Sequence, residues 1–230
     1  MKILNFFPLS ILHDQINFSD KKKNSLLDEV KDMKNNSKNS NPKADDRSWT
    51  GDTQGYEFIH KNPKFSEFFL ELKSKINLYL DFLKIDKNQI ETYIQRSWVT
   101  ISNGKEAIAE HQHLQSHLSF AYYLKKSPED SNFVLHDEVF RNEFIPGLFS
   151  SKTLKDKKVI KEMSISTAPK IIVTVKENDI VLFPSKTLHS TEPNKSNNER
   201  ISISGDITFL SKDSSLLEHL TPSFENWNKL

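Results

Sequence analysis

The apolar period of this chain changes once, near Asp86, and that change limits what it can fold into. Before it, Phe65, Phe69, Leu72, Ile76, Leu80 and Leu83 recur at helical spacing, behind Asn62 as an N-cap and Pro63 at a first-turn position. This predicts a helix over 63–84 whose aromatic stripe packs against a sheet. After Asp86, short apolar runs are divided by Pro, Asn and Lys clusters, which is strand patterning. Strands are expected near 90–102, 108–112, 117–125, 132–136, 159–167, 170–175, 179–183, 187–191 and 199–209. One long helix followed by about nine short strands predicts a mainly β chain, a β-sandwich or barrel with helices on one outer face.

The flanks are simpler. Residues 3–12 read as a short strand and turn. Residues 21–48 begin with a helix built on Leu26, Leu27, Val30 and Met33, then lose all large apolar residues from Asn35 to Asp46. The loop 35–48 therefore reads as mobile, with Lys38, Lys43 or Arg47 as the first protease sites. The tail adds a short helix through Leu216, Leu217 and Leu220. The expected organisation is therefore 1–48 as strand, helix and loop on or leading into the barrel, 49–211 as the barrel domain with its support helix, and 212–230 as a tail.

Composition removes several function classes. The absence of cysteine excludes disulfides, thiolate metal sites, iron–sulfur clusters and cysteine nucleophiles. None of the five glycines has the spacing of a dinucleotide fingerprint or a P-loop. A net charge of +1 offers nothing to draw in a nucleic-acid backbone. No apolar run approaches the ~18 residues of a spanning helix, and the N-terminus MKILNFFPLSILHD lacks the small-residue cleavage site of a signal peptide.

Three of the eight histidines fall within Glu110-His111-Gln112-His113-Leu114-Gln115-Ser116-His117. On a strand, positions i and i+2 share a face, so His111 and His113 project together as a bidentate chelate for a metal. Taken alone, the pair reads more readily as two surface histidines on an exposed strand end. The second half of the chain adds a buried strand, Asp179 to Pro184, followed by His189. Arg200 and Ser202 then share a face of another apolar strand. Arginine is rare here, with Arg47, Arg96, Arg141 and Arg200 as the full set, and a buried guanidinium needs an anionic partner. That partner is either a ligand carboxylate or a local Asp or Glu.

His-x-His leading into Ser119-Phe120-Ala121-Tyr122-Tyr123-Leu124, then Phe183-Pro184, distal His189 and Arg200-x-Ser202, preceded by Ser97-Trp98, resembles the iron(II)/2-oxoglutarate oxygenase superfamily. More specifically it is similar to the 2-oxoglutarate oxygenases of marine bacteria and tailed phages. The resemblance spans roughly residues 47–210. It implies a double-stranded β-helix (a jelly roll, the cupin-like barrel) holding one Fe(II), with 2-oxoglutarate as cosubstrate and O2 as oxidant. His111, His113 and His189 would be the metal ligands. Arg200, Ser202 and Tyr123, in preference to Tyr122, would hold the distal carboxylate of 2-oxoglutarate. An unidentified substrate would be hydroxylated as 2-oxoglutarate is decarboxylated to succinate, in the cytoplasm. The segment 126–160 would form part of the pocket rim.

His113 departs from the superfamily pattern, in which a carboxylate commonly occupies its position. Either three histidines bind the metal, or a carboxylate from elsewhere does, with Asp137 and Glu138 nearest in sequence. If His113 is the ligand, His113→Asp should retain iron. A cupin-like metalloprotein with a three-histidine site and no 2-oxoglutarate is the main alternative, and a non-catalytic jelly-roll binding module the next. Arg200-x-Ser202 discriminates, since a cupin has no use for it. A serine hydrolase is not supported, because no glycine elbow surrounds any serine.

Overall fold

A computed structural model describes residues 1–37, 48–150, 159–162 and 164–230. The chain opens with β1 (Leu12–Gln15) and α1 (Asp20–Asn36). Ser19 caps α1 by accepting from the Lys22 N–H at 3.3 Å, and Leu26, Val30 and Met33 are buried along one face. The expected protease sites Lys38, Lys43 and Arg47 lie outside the described residues.

After β2 (Trp49–Thr50), Asn62 caps a 3-10 turn at Pro63–Phe65 that runs into α2 (Ser66–Phe82). The buried stripe is Phe65, Phe68, Leu72, Ile76, Tyr79 and Leu80. It takes the three-residue step to Phe68 where the sequence suggests the four-residue step to Phe69, which is only half-buried. Leu83 is exposed because the helix has already closed. Lys84 sits at φ 60° and the Ile85 N–H donates to the Leu80 carbonyl at 3.0 Å.

The remaining strands are β3 (Ile90–Ser102), β4 (Leu118–Lys125), β5 (Phe133–His136), β6 (Lys170–Val173), β7 (Asp179–Pro184), β8 (His189–Thr191) and β9 (Arg200–Ser211). They form two antiparallel sheets, ordered β1-β7-β4-β9-β3-β2 and β6-β5-β8. Alternation along β4 divides the interior. Phe120, Tyr122 and Leu124 pack with the helices, Phe68 lying 6.0 Å from Phe120 and 5.0 Å from Tyr122 between ring centres. The opposite face sends Ala121 and Tyr123 towards Phe133, Val175, Val181 and Phe183 in the barrel.

Several expected elements are absent or shorter. Residues 108–112 make a single bridge rather than a strand: His111 and His189 exchange N–H···O bonds at 2.9 Å, after which the His113 N–H turns to the Ser185 carbonyl. Residues 164–168 form a turn instead of the end of a strand. There Ser164 and Thr167 hydroxyls take backbone partners locally and so compete with a sheet ladder. The first strand starts at Leu12, because Phe7 stands at φ 59° and Ile3, Leu4 and Phe6 are exposed. Leu216 (φ 66°) and its neighbours form no helix, and the tail holds only a 3-10 turn at Phe224–Asn226. No described helix is long and apolar enough to cross a membrane.

Candidate metal centre

Strand register brings the site together. Pairing of β9 with β3 sets Arg200 beside Ser102, Ser204 beside Trp98 and Asp206 beside Arg96, while β4 sets Tyr123 beside Ser202 and Ser119 beside Asp206. Positions 200, 202 and 204 of β9 therefore face one cavity of about 330 Å³, together with Trp98, Tyr123 and all three of His111, His113 and His189.

The three imidazoles each offer a nitrogen, and these nitrogens lie within 4.8 Å of one another. The main-chain bridge from His111 to the start of β8 holds two of the rings with centres 4.3 Å apart. Each ring has its Nδ1 engaged by an acceptor: the Ala109 carbonyl for His111 at 2.8 Å, the Thr187 carbonyl for His189 at 2.8 Å, and Asp206 Oδ1 for His113 at 2.5 Å. Acceptors on Nδ1 select the Nδ1–H tautomer, which leaves the Nε2 lone pair of each ring free to ligate. Burial, and then its neighbour His111, push His189 down to about 3. Burial also lowers His111. Neutral rings are what a divalent cation requires.

Arg200 lies at the buried end of the cavity, 1% exposed. Its Nη1 donates to Ser131 Oγ at 2.6 Å and its Nη2 to Ser102 Oγ at 3.0 Å, while its buried Nε has no partner. Among the described residues no carboxylate pairs with it, so the local ion pair considered from sequence is not formed. The Tyr123 and Ser202 hydroxyls, on neighbouring strands, likewise have no hydrogen-bond partner among the described residues. Burial pushes Tyr123 up to about 12, so it remains a neutral donor. Tyr122 points the other way and donates to the Ile16 carbonyl at 3.1 Å.

Other candidates fall elsewhere. Asp137 and Glu138 are exposed beyond β5 and do not line the cavity. His117 is exposed and accepts the Phe209 N–H at 3.0 Å. Of the described residues in 126–160, Phe133 alone lines the cavity, and the mouth is built instead by Thr50, Asp52, Arg96, Gln112 and Gln115. Arg96 pairs with Asp52 at 3.2 Å and lies over the Trp98 ring, which stacks on His113 with centres 5.8 Å apart.

Sequence reading missed Asp206. It is wholly buried and also accepts from Ser119 at 3.1 Å, Ser116 at 3.3 Å and Gln115 at 3.1 Å. The signal was present in the two-residue period of Arg200, Ser202, Ser204 and Asp206, which continues the polar face past the point where the motif stops.

Residues 96–206 match the model of a family described as "Putative 2OG-Fe(II) oxygenase". No curated protein matches the chain. Among solved structures, SnoK, described as a non-heme alpha-ketoglutarate-dependent carbocyclase from nogalamycin biosynthesis, is 13% identical with a TM-score of 0.56, over 93% of this chain and 87% of its own. HygX from Streptomyces hygroscopicus, solved with nickel, 2-oxoglutarate and hygromycin B, is 14% identical with a TM-score of 0.55, over 87% of this chain and 83% of its own. AviO1 from Streptomyces viridochromogenes Tue57 is 12% identical with a TM-score of 0.54, over 87% of this chain and 90% of its own. At these identities the likeness is one of fold, and that fold is the double-stranded β-helix. The family match over residues 96–206 and the histidine cluster within it support an oxygenase of the 2OG-Fe(II) type, with iron as its metal and 2-oxoglutarate as its cosubstrate.

Proposed function

We propose that the chain is an iron(II)- and 2-oxoglutarate-dependent dioxygenase that hydroxylates a polar substrate presented at the cavity mouth. Arg200 carries this reading. It is a buried cation held by two serine hydroxyls, with one N–H left over and, among the described residues, no carboxylate paired with it, in the same cavity as three convergent imidazoles. Keeping such a cation unpaired is costly, and the guanidinium fork matches a carboxylate.

In this reading His111, His113 and His189 hold iron through Nε2, and Arg200, Ser202 and Tyr123 hold the distal carboxylate of 2-oxoglutarate. Bound together, iron and 2-oxoglutarate let one oxygen atom of O2 enter succinate as CO2 is lost and the other enter a substrate C–H bond. The chain's own residues orient and protect. Ser131 and Ser102 fix the guanidinium plane, and Tyr123 adds a neutral donor next to it. Phe133 and Phe183 form an apolar wall beside His189, with ring centres 5.5 and 4.7 Å from it, and exclude water there. At the mouth, Asp52, Arg96, Gln112 and Gln115 offer donors and acceptors, which supports a hydrogen-bonding substrate. HygX, a neighbour in fold, is described with hygromycin B bound. Because 2-oxoglutarate is a central metabolite, the reading carries a cytoplasmic location with it.

A cupin-like metalloprotein without 2-oxoglutarate, or a binding module, would leave Arg200 without a partner. Arg200→Ala tests this. Losing a buried charge-assisted pair costs about 3–5 kcal/mol, so 2-oxoglutarate affinity should fall by roughly two to three and a half decades. Iron affinity, measured anaerobically on the same preparation, should stay within about twofold and also reports that the variant is folded. Equal 2-oxoglutarate binding by both proteins would overturn the oxygenase and promote the cupin.

A further inference from the structure

The proposed ligand set is neutral. Three imidazoles leave the full divalent charge of a bound metal uncompensated, where a carboxylate ligand would have offset part of it. The cavity wall nevertheless borders a carboxylate. Asp206 is 0% exposed and its Oδ1 lies 2.5 Å from His113 Nδ1. Its remaining partners, Ser116, Ser119 and Gln115, are all neutral donors, and among the described residues no Lys or Arg pairs with it. A buried carboxylate without a cation is as costly as a buried guanidinium without an anion.

His113 differs from the other two histidines in this respect. His111 and His189 donate to main-chain carbonyls fixed by the bridge between them. His113 donates to an anion, and its ring is further clamped by the face of Trp98 at 24° to it.

We propose that Asp206 is a positioning residue for the metal: it fixes His113 with Nε2 towards the cavity and supplies, one hydrogen bond away, the negative charge that the ligand set lacks. The proposal rests on the three-histidine reading of the site. Outer hydrogen-bond partners of metal-bound histidines are typically worth about 10–100-fold in metal affinity.

Two variants separate orientation from charge. Asp206→Asn keeps an oxygen to accept the Nδ1–H and removes the charge, whereas Asp206→Ala removes both. Fe(II) affinity should fall about tenfold in Asp206→Asn and about 100-fold in Asp206→Ala, with one metal still bound at saturation. Cobalt(II) substitution gives a readout that loss of stability alone would not move. The ligand-field spectrum of the Asn variant should shift in position relative to wild type rather than merely lose intensity. His113→Ala serves as the reference for losing the ligand outright. If His113→Ala loses metal while both Asp206 variants bind Fe(II) as wild type does, the positioning role is wrong and the three-histidine site stands. If wild type binds no metal, Asp206 and His113 form a structural pair and both readings fall.

Discussion

His111, His113 and His189 present the same kind of atom to one point in the cavity. Replacing any one with alanine should therefore weaken anaerobic iron(II) binding by a similar factor, while His117→Ala, whose ring serves the Phe209 N–H, should bind normally. A much smaller loss for His113→Ala than for the other two would remove it from the ligand set. The structure changes one expectation drawn from sequence. His113→Asp restores the common His-x-Asp pattern on paper, but it would place a shorter carboxylate against Asp206 and strip Asp206 of its closest donor. Like charges at that separation oppose each other. His113→Asp should bind iron less well than wild type, and adding Asp206→Asn should recover part of the loss. The Ser131 and Ser102 partners of Arg200 do not stand out in a linear reading, because each lies far along the chain from the residue it serves, and Asp206 shows there only as the continuation of a polar period.

Elements with a clean period were legible. The helix after Asn62 and strands β3, β4, β7 and β9 fall where alternation and capping put them, and alternation alone separates Tyr123 from Tyr122. The segments at 108–112 and 164–168 were not, because their geometry is decided by single long-range bridges and by hydroxyls bonding their own backbone. Strand β9 bears the heaviest packing constraint. A Cβ on Gly205 would meet the Arg96 carbonyl at 2.6 Å and the Phe120 ring at 2.7 Å, so neither neighbour can accept it without moving. Gly205→Ala should cost about 1–3 kcal/mol and lower the thermal midpoint. Because Ser204 and Asp206 flank it, it should weaken metal binding as well. A melt and a metal affinity both equal to wild type would mean that β9 is less tightly packed than described.

At the scale of the molecule, the sequence carried the architecture because helix and strand periods are segregated along it, with the helices covering one face of the large sheet. It did not carry the boundary of the site. Among the described residues the cavity mouth comes from Thr50, Asp52 and Arg96, since β2 folds back on β3 and brings Asp52 to Arg96. The central claim is that one cavity holds both a metal on three histidines and a cosubstrate carboxylate on Arg200. Its most direct test is anaerobic titration of the iron(II)-loaded protein with 2-oxoglutarate, followed by visible absorption. The account predicts a weak metal-to-ligand charge-transfer band that saturates at one 2-oxoglutarate per chain. Iron bound at one per chain with no such band, at any concentration of 2-oxoglutarate, would contradict it.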